Sequence, residues 1–240
     1  FVDIPSGKTI TSAIQIKNSK QGQIFGKIEI RDQMMYWDDV FYFSYNIEPE
    51  NEILLINGKN NEKSVSKAFA TEVSIKVEEV DQKSVNRNLF QDKNLVVLNG
   101  IDDLSSGLIS DINSFSNMGG SVFIIPGRNA DNGNINQLLK SLGLPAYGSK
   151  RETNLNAYQI AYKDPFFKSI FEKSDESLNL PNYQQIYNCD YKRSTAVPLM
   201  FLRDNSPVFC KSFKKSFAFY SDLSLESNNL INKSIFPVIC

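Results

Sequence analysis

Residues 119–128 read GGSVFIIPGR, and this stretch decides the fold class. A Gly-Gly pair precedes a continuous apolar run, and a Pro-Gly pair ends it. Similar runs that end in Asn-Gly occur at 52–58 (EILLING) and at 94–100 (NLVVLNG). Continuous apolar runs are typical of strands that are covered on both faces, as in a parallel sheet. The three runs therefore predict neighbouring buried strands of an α/β domain.

Helical patterns separate these runs. Over 103–118 the apolar residues recur at spacings of four and three, which places them on one face of a helix. We expect Asp103 to cap the start of this helix and Gly119 to end it in a left-handed conformation. A second helix is predicted just before Gly143, and a weaker one at 64–70.

The predicted order of elements over 51–145 is β-α-β-β-α-β-α. Right-handed crossovers then give an open, doubly wound and mostly parallel sheet. The strand at 73–80 (VSIKVEEV) alternates in polarity, so we expect it toward an edge of the sheet. Farther along, 206–221 predicts two strands around a Lys-rich turn, and the polar stretch 172–195 is predicted to be mostly loop.

The first fifty residues follow a different pattern. Apolar residues alternate with period two in TITSAIQIK (9–17), GKIEI (26–30) and YWDDVFYFSYNI (36–47), as in half-buried strands. We therefore expect an antiparallel β domain at 1–49, either a small sandwich or part of one whose other strands lie upstream, and an α/β domain at 50–240. A start at Phe1 rather than Met fits a fragment of a longer protein.

Composition excludes several kinds of function. The formal net charge is -1, from 26 basic and 27 acidic residues, so no overall field would recruit nucleic acid. No apolar run approaches the ~18 residues needed to span a bilayer. The sequence has no histidine, which removes nucleophilic triads with a His base and His-ligated metal sites. The three cysteines lack C-x-x-C spacing, but one disulfide remains possible.

Several of these segments carry a family resemblance. They are EILLINGKN (52–60), NLVVLNGIDDLSSGLISDINSFSNMGGSVFIIPG (94–127) and the C-terminal FAFYS and NKSIFPVIC. Together they resemble the glutamine-amidotransferase-like domain in the extracytoplasmic part of BatA-type (aerotolerance regulator) membrane proteins. The upstream GKIEIRDQMMYWDDVFYFSYNI (26–47) is similar to the β-rich segment before that domain. The resemblance implies a flavodoxin/amidotransferase-like sheet.

The resemblance also implies a cellular setting. The protein would be anchored in a membrane through segments outside this fragment, with the fragment on the periplasmic, or extracytoplasmic, face. Its partners would be proteins of a membrane-associated assembly, and no nucleic acid is expected. No enzymatic activity is implied.

The sequence departs from the catalytic amidotransferases at the decisive turn. Those enzymes place a cysteine after a central strand and activate it with a histidine. Here the corresponding turn is Pro126-Gly127-Arg128. We therefore predict that the protein is not an enzyme, and we assign no catalytic residue, cofactor or metal.

The loop after this strand is the candidate ligand site, with Arg128, Asn129, Asp131 and Asn132 as its residues. It follows the carboxyl end of a strand, where α/β sheets bind ligands, and Arg128 could pair with a carboxylate or phosphate. The plainer interpretation is a solvated turn. A calcium loop using Asn129, Asp131 and Asn134 is disfavoured because no terminal bidentate Glu follows.

Two alternatives to a non-catalytic interaction module therefore stay open. One is a small-ligand or carbohydrate-binding sensor that uses the loop at Arg128. The other is a hydrolase that uses carboxylates or a carboxylate-bound metal. The adjacent carboxylates Asp102 and Asp103 are predicted to act in helix capping rather than in such a site.

Overall fold

A computed structural model describes most of the chain as two compact units, Phe1–Pro49 and Glu50–Cys240. The described residues are 7–11, 13, 15–17, 21–29, 40–47, 50–72, 74–130, 133–168 and 179–240. The first unit contains an antiparallel hairpin, and the second contains one large mixed sheet with short helices. This is the small antiparallel sheet plus α/β architecture that the sequence predicts.

The hairpin of the first unit consists of β1 (Gly22–Glu29) and β2 (Val40–Ile47). Its register places Ile28 opposite Phe41, and it places Gly26 opposite Phe43. The Phe43 ring lies across Gly26, where an added Cβ would come within 2.3 Å of it. The strand predicted at 9–17 is not formed by the described residues there, which have no regular secondary structure.

The parallel half of the large sheet supplies most of the predicted elements. Its strands are β3 (Asn51–Asn57), β4 (Ile75–Asp81), β5 (Leu95–Ile101) and β6 (Ser121–Pro126). The intervening helices are α1 (Lys63–Phe69), α2 (Ser106–Asn117) and α3 (Ile135–Ser141). The strands pair in the order β4-β3-β5-β6, so the alternating strand β4 lies at the sheet edge, as predicted.

The other half of the sheet is antiparallel. It comprises β7 (Lys150–Ile160), β8 (Asn182–Tyr187), β9 (Val197–Leu202), β10 (Pro207–Lys211) and β11 (Ser216–Phe219), with the short helices α4 (Pro165–Lys168) and α5 (Ile235–Ile239). The full order is β4-β3-β5-β6-β11-β10-β9-β7-β8. The junction is β11, which is parallel to β6 and forms the predicted hairpin with β10.

One strand in this half was not predicted. Within 172–195, a stretch predicted to be mostly loop, the described residues 179–195 contain the edge strand β8. In β8 the side chains of Tyr183, Ile186 and Tyr187 are buried while Gln184 is exposed. Because a sheet edge needs few apolar residues, the strand has too weak a hydrophobic pattern to be recognised from sequence.

The apolar runs are continuous because both faces of the parallel strands are covered. In β3, Leu54 and Ile56 belong to one core cluster, whereas Ile53 and Leu55 belong to the other. All four side chains are at most 3% exposed. Full burial of one such side chain stabilises the fold by about 1.5–3 kcal/mol, which explains why no polar residue interrupts the run.

The ends of helix α2 correct one prediction and confirm another. Ser105, not Asp103, is the N-cap, and its hydroxyl accepts a hydrogen bond from the Leu108 N–H. The N-cap lies two residues later than predicted, so the Asp103 carboxylate is available for other hydrogen bonds. Gly119 has φ +99°, as predicted for the left-handed stop.

Candidate functional site

Five parallel strands end at the same edge of the large sheet. The segments that follow four of them, β3, β5, β6 and β11, begin at Gly58, Asp102, Gly127 and Tyr220. The carboxyl edge of an α/β sheet is where its ligands usually bind, because helix N-termini and loops converge there. The site is therefore described from these four segments, which we call the carboxyl-edge segments.

A buried amide ties the first two segments together. Asn99, near the end of β5, is 1% exposed. Its Nδ2 donates to the Asn57 Oδ1 at 2.9 Å and to the Glu62 carbonyl at 3.1 Å, and its Oδ1 accepts from the Glu62 N–H at 3.3 Å. Asn99 thus uses both ends of its amide to fix the segment that carries Glu62.

Asp102 anchors the loop after β6. Its Oδ1 accepts a hydrogen bond from the Asn129 N–H at 2.8 Å, and its Oδ2 accepts one from the Asn60 Nδ2 at 3.0 Å. Gly127 packs directly against this carboxylate, so that an added Cβ would lie 2.2 Å from Oδ1. The neighbouring Asp103 carboxylate accepts a hydrogen bond from the Asn134 N–H at 3.0 Å. The two carboxylates therefore cap the β6 loop and not helix α2, which corrects the capping prediction.

Arg128 is half-exposed and already paired. Its guanidinium lies 3.1 Å from the carboxylate of Glu226, in the segment after β11, and the two side chains are 47% and 74% exposed. The chain itself thus supplies a carboxylate partner for Arg128. Of its predicted neighbours, Asn129 contributes its backbone N–H, and Asp131 and Asn132 lie outside the described residues.

Tyr187 holds the same loop through hydrogen bonds of its hydroxyl group. Its hydroxyl donates to the Gly127 carbonyl at 2.6 Å and accepts from the Ala130 N–H at 3.2 Å. The Nζ of Lys150 stands over the Tyr187 ring, 5.5 Å from its centroid, and is 3.4 Å from the Arg128 carbonyl. The described part of the loop is therefore held at several points.

A buried ion pair forms the floor of the site. Asp222, 3% exposed, lies 2.8 Å from the Nζ of Lys150. The hydroxyls of Ser224 and Ser227 also donate to this carboxylate, at 2.5 and 2.8 Å. Burial alone would raise the pKa of Asp222, but the ion pair and the two hydroxyls outweigh it and hold the pKa below its ordinary value.

The pKa of Glu62 shifts in the opposite direction to that of Asp222. Burial raises its pKa, Arg128 opposes this shift, and Asp222 adds to it. The carboxyl edge therefore gathers Glu62, Asp222 and Glu226 with the cations Arg128 and Lys150. Sequence reasoning identified only Arg128 in this group. Asp222 had a usable signal, since it follows a predicted strand just as Arg128 does, whereas Lys150 begins an unpredicted one.

The cysteines divide between the two core clusters. Cys189 and Cys210 belong to the core on one face of the sheet, and Cys240 packs against the core on the other. Among the described residues, no group of three His, Cys, Asp or Glu side chains is arranged to hold a metal ion. Within the same described ranges, no helix is both long and apolar enough to cross a bilayer.

Comparisons with known proteins support the fold. No protein-family model matches the sequence, and no curated protein matches it significantly. Among solved structures, a ThuA-like protein of Bacteroides uniformis is similar, with a TM-score of 0.52 and 10% identity over 73% of this chain and 83% of that chain. This likeness is consistent with a glutamine-amidotransferase-like fold, which the resemblance implied.

Two β-galactosidase structures are also similar. The enzyme of Rahnella sp. R3 has a TM-score of 0.50 at 14% identity over 72% of this chain, and the E323A mutant of Gan42B from G. stearothermophilus has 0.50 at 9% over 73%. The present chain spans only 29% and 28% of those two chains. At such identities the likeness concerns the fold alone.

Proposed function

We propose that residues 50–240 form a non-catalytic, protein-binding module of a membrane-anchored protein, located on the periplasmic face. The observation that carries the proposal is the Arg128–Glu226 ion pair at the turn where catalytic amidotransferases present their nucleophile. The membrane setting rests on the resemblance to BatA-type proteins.

The turn itself favours a scaffold over a catalyst. Gly127 cannot be replaced by a reactive residue without displacing Asp102, which lies where a Cβ would be. Arg128 has no lone pair with which to attack a carbonyl. The nearby charge of Asp222 is also compensated, because the carboxylate pairs with Lys150 and accepts hydrogen bonds from two hydroxyls. A carboxylate with a lowered pKa is a weak general base.

An exposed apolar side chain at the same edge favours protein binding. Leu225 is 63% exposed and lies in the segment after β11, next to Glu226. Many protein interfaces combine apolar side chains with charged side chains at their rim. We place the binding surface at Leu225, Glu226 and Arg128.

Photo-crosslinking tests the binding surface. A photoreactive amino acid replaces Leu225 in the full-length protein, in its native cell. Met118, 79% exposed at the end of helix α2, is the matched control position. We expect a discrete cross-linked protein at Leu225 and none at Met118. Equal labelling at both positions, or none at Leu225, would remove the assignment of this surface.

Protease protection tests the location. If the full-length protein resists alkaline extraction from membranes and protease added outside spheroplasts digests this domain, the periplasmic assignment stands. A domain that is digested only after lysis would overturn it.

A ligand sensor is the second candidate. The ion pair at Arg128 is exposed on both sides, so an anionic ligand could replace Glu226 as the partner. Phosphate, dicarboxylates and glycans would be screened for thermal stabilisation of the protein. Stabilisation that Arg128→Ala abolishes, and that Arg193→Ala preserves, would establish the sensor. Arg193 is a suitable control because it forms an exposed ion pair of 3.1 Å with Asp190.

A carboxylate-dependent hydrolase is the third candidate. The opposite pKa shifts of Glu62 and Asp222 are the kind of split that acid and base pairs show. Purified protein would be assayed for ammonia release from glutamine and for hydrolysis of ester and glycoside substrates. Turnover that Glu62→Gln abolishes without loss of folding would replace the non-catalytic proposal.

A further inference from the structure

The turn between β10 and β11 exposes an aromatic side chain next to lysines. The turn reads SFKK (212–215), and the Ser212 N–H closes it by donating to the Ser216 carbonyl at 2.7 Å. Phe213 is 73% exposed. Its Cε1 atom lies 3.6 Å from the position that a Cβ at Gly143 would take, just beyond the end of helix α3. The ring is therefore held at the end of α3 and is open to a surface outside the protein.

Three lysines lie in the same region. Lys214 and Lys215 follow the ring in the turn, and Lys140 lies in the last turn of helix α3. Lys214 connects the two elements, because its Nζ donates to the Ser141 carbonyl at 2.9 Å. Lys140 and Lys215 are exposed, and their side chains form no ion pair with another described residue. We call Lys140, Phe213, Lys214 and Lys215 the Lys–Phe patch.

The positive charge of the patch is local. The whole chain has a formal net charge of -1, so these lysines stand out against a nearly neutral background. Arg193 lines the same groove of about 910 Å³ as Lys140, but it is paired with Asp190 at 3.1 Å and adds no net charge. The patch thus combines three cations with one apolar ring. A complementary surface is anionic and has an apolar layer beneath its charges.

The patch lies at the edge where the parallel strands begin, opposite the carboxyl-edge segments. Its turn immediately precedes β11, and the Lys215 carbonyl accepts a hydrogen bond from the Val122 N–H at 3.3 Å, at the start of β6. We call this the amino edge. A contact through the Lys–Phe patch therefore leaves Arg128 and Glu226, at the other edge, accessible.

The composition of the patch favours a lipid surface over a protein partner. Lysine is depleted in protein interfaces relative to the rest of the surface. Lysines beside an exposed aromatic ring are instead common where a protein lies on an anionic membrane, because the ring enters the headgroup layer and the ammonium groups pair with lipid phosphates. An ammonium group on a flexible stem also needs no fixed partner geometry. The unpaired side chains of Lys140 and Lys215 fit this requirement.

We propose that the Lys–Phe patch is a docking surface for an anionic membrane. Phe213 enters the headgroup layer, and the three lysines pair with the lipid phosphates. The large unit then lies with its amino edge on the bilayer and its carboxyl edge directed away from it. The proposal requires neither the protein-binding surface nor the anchoring segments, so vesicle binding can succeed or fail independently of both.

Vesicle sedimentation tests the docking surface. The purified protein is mixed with phosphatidylcholine vesicles that either contain or lack phosphatidylglycerol. We expect binding to the anionic vesicles only, and we expect it to weaken as the salt concentration rises. Equal binding to both kinds of vesicle, or binding to neither, would overturn the proposal. Binding to soluble polyglutamate without binding to anionic vesicles would assign the patch to an acidic protein partner instead.

Charge variants test which lysines bind. Lys214→Gln combined with Lys215→Gln should weaken binding to anionic vesicles about 25-fold, at about fivefold for each lysine. Lys140→Gln should weaken it about fivefold and leaves the turn unchanged. Lys59→Gln is the matched control, because Lys59 is exposed in the segment after β3, at the carboxyl edge. Wild-type binding by Lys140→Gln and by a double variant that unfolds at the wild-type temperature would contradict the proposal, as would an equal loss in Lys59→Gln.

Phe213→Trp tests insertion of the ring. The introduced indole should fluoresce at a shorter wavelength when anionic vesicles are added, and it should become shielded from an aqueous quencher, since it leaves water. The wild-type protein, whose only tryptophan is Trp37, supplies the background signal. Phe213→Ala should bind the same vesicles more weakly, because the apolar contact is lost. An indole that remains open to the quencher at saturating vesicle concentration would exclude docking through this ring.

Discussion

The Nζ of Lys150 lies 2.8 Å from the buried carboxylate of Asp222. Lys150 begins β7 in the antiparallel half of the sheet, and Asp222 follows β11, the junction strand that is parallel to β6. The pair therefore joins β7 to the junction of the two halves at the carboxyl edge. Because the ions are 21% and 4% exposed as side chains, solvent screens them little.

Lys150→Met should reduce the free energy of unfolding by about 3 kcal/mol, since it leaves Asp222 buried without its cation. Urea denaturation at neutral pH measures the change. Arg193→Met is the control, because its ion pair with Asp190 is exposed and should contribute less than about 1 kcal/mol. Equal losses in the free energy of unfolding of the two variants would show that the buried pair stabilises the fold no more than the exposed pair does.

The same carboxylate predicts a pH dependence. The folded-state pKa of Asp222 lies below its ordinary value of 3.8, so its stabilisation is complete above that pH. It is lost as the pH falls through the lowered folded-state pKa. Asp222→Asn should therefore remove part of the acid-induced loss of stability below about pH 4. Urea denaturation between pH 2 and 7 tests this, and an unchanged slope in the variant would contradict it.

Gly127→Ala tests the close approach of the β6 turn to Asp102. The added Cβ would lie 2.2 Å from Oδ1, and that carboxylate cannot move without breaking its hydrogen bonds to Asn129 and Asn60. We expect a loss of about 1–3 kcal/mol in the free energy of unfolding. Gly107→Ala is the matched control, because nothing lies within 4 Å of its Cβ position and Gly107 is an exposed residue of helix α2. It should be stabilising by about 0.5–1 kcal/mol.

Asn99→Ala should be more costly than its size suggests. It removes three hydrogen bonds in a buried place and leaves the backbone groups of Glu62 without their partner. The expected loss is about 2–3 kcal/mol. Asn117→Ala, at the exposed end of helix α2, should change stability by less than about 0.5 kcal/mol. If Asn99→Ala lowers the free energy of unfolding no more than Asn117→Ala does, the hydrogen bonds of Asn99 do not stabilise the fold as proposed.

The fold could be predicted where burial dictates residue type. The central residues of the runs at 52–58, 94–100 and 121–127 are apolar because both faces of their strands are covered, and this requirement is visible in the sequence. The antiparallel extension was harder to predict. β7 and β8 are rich in Asn and Gln, and β7 has many exposed positions, so they lack the pattern on which strand prediction depends.

The candidate site was only partly predictable for a related reason. Arg128 could be placed because the strand before it was recognised. The partners of a charged residue depend on tertiary structure, and no spacing links Lys150 to Asp222, 72 residues away. The functions of Asp102 and Asp103 were mistaken because local capping rules favour the nearest helix, whereas these carboxylates accept N–H groups from a loop that is distant in sequence.

Tyr187→Phe should loosen the loop after β6 while the fold is kept. The variant loses the hydrogen bond donated to the Gly127 carbonyl and the one accepted from the Ala130 N–H, whereas the ring retains its packing against Tyr147. We expect a loss of about 1–2 kcal/mol in the free energy of unfolding. Hydrogen exchange should accelerate at Ala130, because its N–H then has no partner within the core. Tyr158→Phe, which changes a tyrosine that is 67% exposed, should alter neither quantity. Unchanged exchange at Ala130 in the Tyr187 variant would mean that Tyr187 does not hold the loop and that its other contacts suffice.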